Sequence, residues 1–180
     1  MVQETTLMNI FLILSIFVGS AFSSTLAQVQ TDITGILTSA ASFDKAIQAF
    51  NKAITNASVE EALTIHFQAS DLNSSLNQLT TDLKSLPLPL SEDDVIGLLD
   101  NITGYVPIIT DALVGLIEKQ SIFMSLPVAG FPGLVSEDLV SLNSSNSNLE
   151  MTILATFPGL NCHTTAVDSA FANAIAAYSN

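Results

Sequence analysis

The chain has 180 residues, with 17 acidic side chains against four lysines, no arginine and a formal net charge of −13. Such a charge cannot neutralise phosphates, which excludes nucleic acid as a partner and electrostatic docking on anionic headgroups. A lone cysteine, Cys162, excludes an internal disulfide, so packing alone must hold the fold.

The first element is a leader. Leu7 to Val18 is apolar apart from Asn9 and Ser15, and is followed by small residues and Thr25-Leu26-Ala27. The run falls short of the roughly 20 residues a membrane span needs. It reads as a secretory signal over residues 1–27, with Ala21-Phe22-Ser23 as a second candidate cleavage site. Residues 28–180 are expected to form a single domain, extracellular or in a cell wall, without a transmembrane segment. Acceptor tripeptides at Asn56, Asn73, Asn101 and Asn143 fit N-glycosylation on that route.

Five helices then follow. Val29, Ile33, Ile36, Ala40, Phe43, Ile47, Phe50 and Ile54 alternate spacings of four and three, which predicts one amphipathic helix from Gln28 to Ile54. Ser58-Val59-Glu60-Glu61 is a capping box that opens helix two, whose seam runs from Ala62 to Leu86. Leu86-Pro87-Leu88-Pro89-Leu90 cannot be helical, because each proline removes a donor and disfavours the helical conformation before it. Ser91 caps helix three, with Glu92, Asp93 and Asp94 at its positive end. Its seam is read as Leu99, Ile102, Val106, Ile109, Leu113 and Leu116, with a kink from Pro107 near Thr103-Gly104 and an end near Met124. Helix four starts near Leu134 and carries Val135, Leu139, Leu142, Leu149 and Ile153. Asn146 stands in its seam, and the Ser/Asn run from Asn143 to Asn148 predicts a weak middle that breaks. Helix five presents Val167, Phe171, Ala174 and Tyr178. The fold class is therefore all-α, an antiparallel up-down bundle of about five long helices.

Chemistry is sparse. There is no nucleophile elbow, phosphate loop or His-Glu-x-x-His motif, so the chain is not read as an enzyme and no cofactor is implied. Cys162-His163 lacks the further ligands a metal site needs. His66 beside Ile65 reads as a flanking histidine. Ser39, Ser42, Ser70 and Ser74 lie on or beside the first two seams, where serines usually bond their own helix backbone. The loop from Ser125 to Gly133 is unusually apolar: Leu126, Val128 and Phe131 must either fold back as a lid or face outward to adsorb on an apolar surface. Phe43, Phe50, Leu72, Ile109, Leu113 and Phe171, interleaved with Ala and Ser, are the candidate lining of an apolar cavity between the helices.

Three stretches, Asp111 to Phe123, Leu134 to Leu142 and Val167 to Tyr178, together with the long first helix, resemble the fungal hydrophobic surface binding protein A family, related to cell-wall galactomannoproteins. The resemblance implies a secreted, helical, non-catalytic protein that adsorbs to hydrophobic surfaces and recruits a secreted hydrolase there. It also implies, through the galactomannoproteins, a long-chain lipid or fatty acid held between helices. The alternative reading is a structural or antigenic cell-wall mannoprotein with a dry core and no ligand.

Overall fold

A computed structural model describes residues 24–50, 56–128, 130–158 and 165–179. The helices are α1 (Leu26–Ala49), α2 (Asn56–Lys84), α3 (Glu92–Thr103), α4 (Tyr105–Glu118), α5 (Gln120–Met124), α6 (Phe131–Thr156) and α7 (Thr165–Tyr178). Among the described residues there is no strand. α3, α4 and α5 together are the expected third helix, so the chain makes the anticipated five-helix bundle. Packing runs in a closed ring: α1 on α2, α2 on α6, α6 on α7, α7 on α4, and α4 back on α1.

The seams close this ring. Val29, Ile33, Ile36, Ala40, Phe43 and Ile47 on α1 are buried, as are Ala62, Ile65, Ala69, Leu72, Leu76, Leu79 and Leu83 on α2. At one end Phe50 stacks on Phe123 with ring centroids 4.5 Å apart, and Phe123 also meets Phe131 and Tyr178. This cluster holds the end of α1 against both sides of the Ser125 to Gly130 loop. The Lys119 ammonium completes the join, donating to the carbonyls of Gln48 at 3.1 Å and Phe50 at 2.7 Å. A cation there satisfies orphan acceptors and complements the negative end of α1. At the other end the connector Leu88-Pro89-Leu90 lies beside Phe157 and Pro158.

Helix starts differ from expectation at three places, the fourth helix opening at Phe131 after Gly130 instead of near Leu134. α1 begins at Leu26, two residues before Gln28, because the Thr25 hydroxyl accepts from the Gln28 amide and caps the helix there. α2 begins at Asn56, so Ser58 is a buried residue of its first turn and not its cap. Ser91 does cap α3, accepting from the Asp94 amide at 3.2 Å. The kink falls at Gly104, between α3 and α4. Pro107 has no amide hydrogen for the carbonyl of Thr103, four residues earlier, and its ring crowds that carbonyl.

The expected break in the fourth helix is absent: α6 runs unbroken through Asn143 to Asn148. Weak local propensity is overridden because this stretch is packed between α2 and α7. Ser145 and Asn146 are buried, and the Ser145 hydroxyl donates to Asn73 Oδ1 at 2.6 Å across the α2–α6 contact. A second polar link joins these helices, His66 Nδ1 to the Asp138 carboxylate at 2.9 Å.

A carboxyl pair joins α1 to α2. Asp82 accepts from Ser24 and, at 2.7 Å, from Gln78. Its hydrogen bonds, first from Ser24 and then from Asp32, hold it below the usual carboxylate range. Burial first, and then the hydrogen bond to Asp82, pushes Asp32 up to about 6.

Two outcomes follow from this packing. In Gly115→Ala the added methyl would sit 3.0 Å from Cγ2 of the fully buried Ile47, whereas nothing lies within 4 Å of one added at Gly35. Urea denaturation should show Gly115→Ala losing about 1–3 kcal/mol and Gly35→Ala gaining about 0.5–1 kcal/mol. The second concerns pH. Asp32 is raised from 3.8 to about 6, so its stabilising contribution is complete below the lower value and is lost as pH climbs to the upper. Asp32→Asn should remove that decline, so its advantage over the parent in urea midpoint should be larger at pH 7 than at pH 4.

Candidate functional site

Two features of the bundle can receive an apolar guest. The larger is an open groove of about 410 Å3 at the connector end, walled by Leu88, Pro89 and Leu90, by Val95 and Ile96 of α3, and by Phe157 and Pro158. Prolines hold this connector away from any helix, and the Leu88–Pro89 peptide is cis. Leu86 is buried and anchors it, while Leu88 is 54 % and Ile96 is 50 % exposed. α3 contributes to the groove because it is thinly held, with Leu98 its one fully buried residue.

The smaller is a narrow slot where α3 gives way to α4. Ile102, Val106, Leu149, Ile153 and Val167 form its apolar walls, and Tyr105, Asn146 and Glu150 also border it. Its volume is about 30 Å3, room for a water or two before any movement of the helices. Tyr105 and Asn146 are each 4 % exposed, and neither the Tyr105 hydroxyl nor Asn146 Nδ2 has a hydrogen-bond partner. Burial pushes the Tyr105 phenol well above its usual value, so it stays protonated. Near the mouth a second carboxyl, Asp168, is raised by burial and then by the charge of Glu150.

The residues expected to line a cavity are in the core. Phe43, Phe50, Leu72, Ile109, Leu113 and Phe171 are all fully buried, and Phe43 borders a pinhole of about 10 Å3 near His66 and Asp138. Of the apolar loop, Leu126 and Phe131 turn inward and only Val128 faces outward, so for those two residues folding back is the arrangement observed. The serines beside the seams stay clear of both features: Ser39 pairs with Ser75 at 3.1 Å, and Ser70 and Ser74 are exposed. Asn101 is exposed, whereas Asn73 and Asn143 are half-buried. The side chain of Asn56, and all of Cys162 and His163, lie outside the described residues.

Reading the sequence missed Tyr105 entirely. The predicted seam runs through Leu99, Ile102 and Val106, whereas the buried face runs through Leu98, Tyr105, Ile109, Ala112 and Leu116, in one helical phase across Gly104, and Ile102 and Val106 border the slot. Asn146 was noticed as a polar residue in a seam and read as weakness. A seam polar residue opposite a proline kink is the signal that would have joined them.

Among the described residues no helix is long and apolar enough to cross a membrane, and no cluster of His, Cys, Asp or Glu could hold a metal ion. No curated protein matches this sequence. The family model described as "Hydrophobic surface binding protein A" matches residues 26–155, well over half of the chain. The structure is similar to that of ligand binding domain 1 of the Penicillium marneffei MP1 protein, solved complexed with arachidonic acids. The TM-score is 0.63 at 17% sequence identity, with 86% of this chain and 99% of that chain covered.

Proposed function

The chain belongs to the hydrophobic surface binding protein A family, and on that premise we propose that it is a secreted, non-catalytic protein that binds apolar matter through the groove at the connector end. The observation that carries this reading is the exposure of Leu88 and Ile96 side by side along an open apolar groove. Each large apolar side chain withdrawn from water contributes roughly 1.5–3 kcal/mol, so Leu88, Leu90 and Ile96 together suffice for adsorption. The acidic remainder of the surface keeps the protein dispersed until such a surface is met. Held there, the bundle would leave its other faces free to recruit a secreted hydrolase. Residues 1–27 serve as the leader on this reading, and exposed Asn101 is the glycan acceptor whose occupancy disturbs no packing.

A second reading, a lipid chain held between the helices, has its own support. The slot beside Tyr105 is apolar with a few polar groups, as small-molecule sites are. A domain of the same fold is described as complexed with arachidonic acids. A wall protein without any ligand is the reading left if both fail.

Adsorption to octyl-coated beads tests the main reading. The double variant Leu88→Ser/Ile96→Ser should bind at least about tenfold more weakly than the parent, with unchanged far-ultraviolet circular dichroism. Val114→Ser on α4, which removes an exposed apolar residue away from the groove, should bind like the parent. Equal adsorption of the double variant would remove the groove from the mechanism.

A further inference from the structure

Resting on the lipid-chain reading above, we propose that the slot at the α3–α4 break is a headgroup site for a long-chain lipid ending in an uncharged hydroxyl, held by Tyr105 and Asn146.

Buried polar side chains are almost always hydrogen-bonded, and an unpaired one inside a fold needs a reason. Among the described residues three buried polar atoms lack a partner; Asp32 Oδ2 lies on α1, while the Tyr105 hydroxyl and Asn146 Nδ2 belong to two side chains that border the same slot. A neighbouring asparagine shows that the fold can satisfy such groups, since Asn73 in the α2–α6 contact accepts from Ser145 at 2.6 Å. The pair lies beside the break between α3 and α4. A phenol both donates and accepts, and an amide nitrogen donates. A lipid hydroxyl placed between them accepts from Asn146 Nδ2 through one lone pair and from the Tyr105 O–H through the other, giving both buried donors a partner.

Charge selects against the alternative headgroup. A carboxylate could accept from both donors, but Glu150 borders the slot and Asp168 lies within reach of Glu150's field. No lysine lines the slot, and the chain has no arginine. An anionic headgroup would therefore bring a like charge into a poorly solvated site with no cation to meet it. A hydroxyl carries no such penalty.

The slot as it stands takes the hydroxyl and the first carbons. The rest of the chain follows the wall formed by Ile102, Val106, Leu149 and Ile153, which requires α3 to swing outward about Gly104. α3 is the element with least to lose by this motion, because Leu98 is its one fully buried residue.

Three probes of equal chain length, 1-dodecanol, dodecanoate and dodecane, are titrated into the full chain at pH 7.5 by calorimetry, with the rise in Tm as a second readout. Dodecanol should bind roughly tenfold tighter than dodecanoate, the equivalent of losing a net hydrogen bond and gaining a repulsion. Tyr105→Phe should weaken dodecanol roughly fivefold while leaving dodecane unchanged, and should raise the Tm of the free protein by removing a buried unpaired hydroxyl. Asn146→Leu should act in the same direction, and Glu150→Gln should narrow the gap between dodecanol and dodecanoate. Equal affinity for dodecanol and dodecanoate would overturn the headgroup assignment while leaving the lipid-chain reading in place. So would a Tyr105→Phe variant that loses Tm yet binds dodecanol normally, which would mark the hydroxyl as structural and water-satisfied. If none of the three probes raises the Tm, the lipid-chain reading itself falls.

Discussion

Pro107 has no amide hydrogen, and much of what distinguishes this bundle from a plain one follows from that missing donor. The carbonyl of Thr103 loses its helical partner and the third helix divides at Gly104. Upstream of it, α3 keeps only Leu98 fully buried. Downstream, Tyr105 is turned inward, and Ile102 and Val106, on either side of the break, border a slot. The connector groove depends on the same event, because a continuous, fully packed third helix would cover Val95 and Ile96 rather than present them beside Leu88.

The two ends of the bundle are built for different tasks. One is closed by stacked rings, with Phe123 against Phe50, Phe131 and Tyr178, and by the Lys119 ammonium on the last carbonyls of α1. Aromatic contacts of this kind add to area burial and resist opening. The other end has a proline-stiffened strap with Leu88 facing water. Exposed apolar surface is tolerable on an acidic chain, since repulsion between copies opposes their association through it.

Where helical periodicity alone decides the outcome, the sequence was legible. The α1 residues Val29 through Phe50 and the α7 residues Val167, Phe171, Ala174 and Tyr178 are buried as their spacing requires. Chain breakers were legible too, at the connector and at Gly104. What escaped reading depends on neighbours distant in sequence. The Ser/Asn run of α6 is poor helix material in isolation, and survives because α2 and α7 pack on it and Asn73 receives Ser145. His66 was read as a flanking side chain, yet Asp138 stands 2.9 Å away from it. The register of the third seam has the same character: its spacing allows either Leu99 with Val106 or Leu98 with Tyr105 to face inward, and the packed bundle buries the second pair.

The Thr25 cap bears on biosynthesis. Thr25 accepts from the first turn of α1, and the neighbouring Ser24 hydroxyl hydrogen-bonds both Asp82 and Ser85, fastening the head of α1 to the tail of α2. A leader peptidase acting after Ala27 would discard this clasp and leave the exported chain beginning inside its own first helical turn. One acting after Ser23 would preserve it whole. Choice of scissile bond, made before the bundle has formed, would then decide whether Asp82 keeps its serine donor, and with it the proton balance of the Asp32–Asp82 pair in the finished protein.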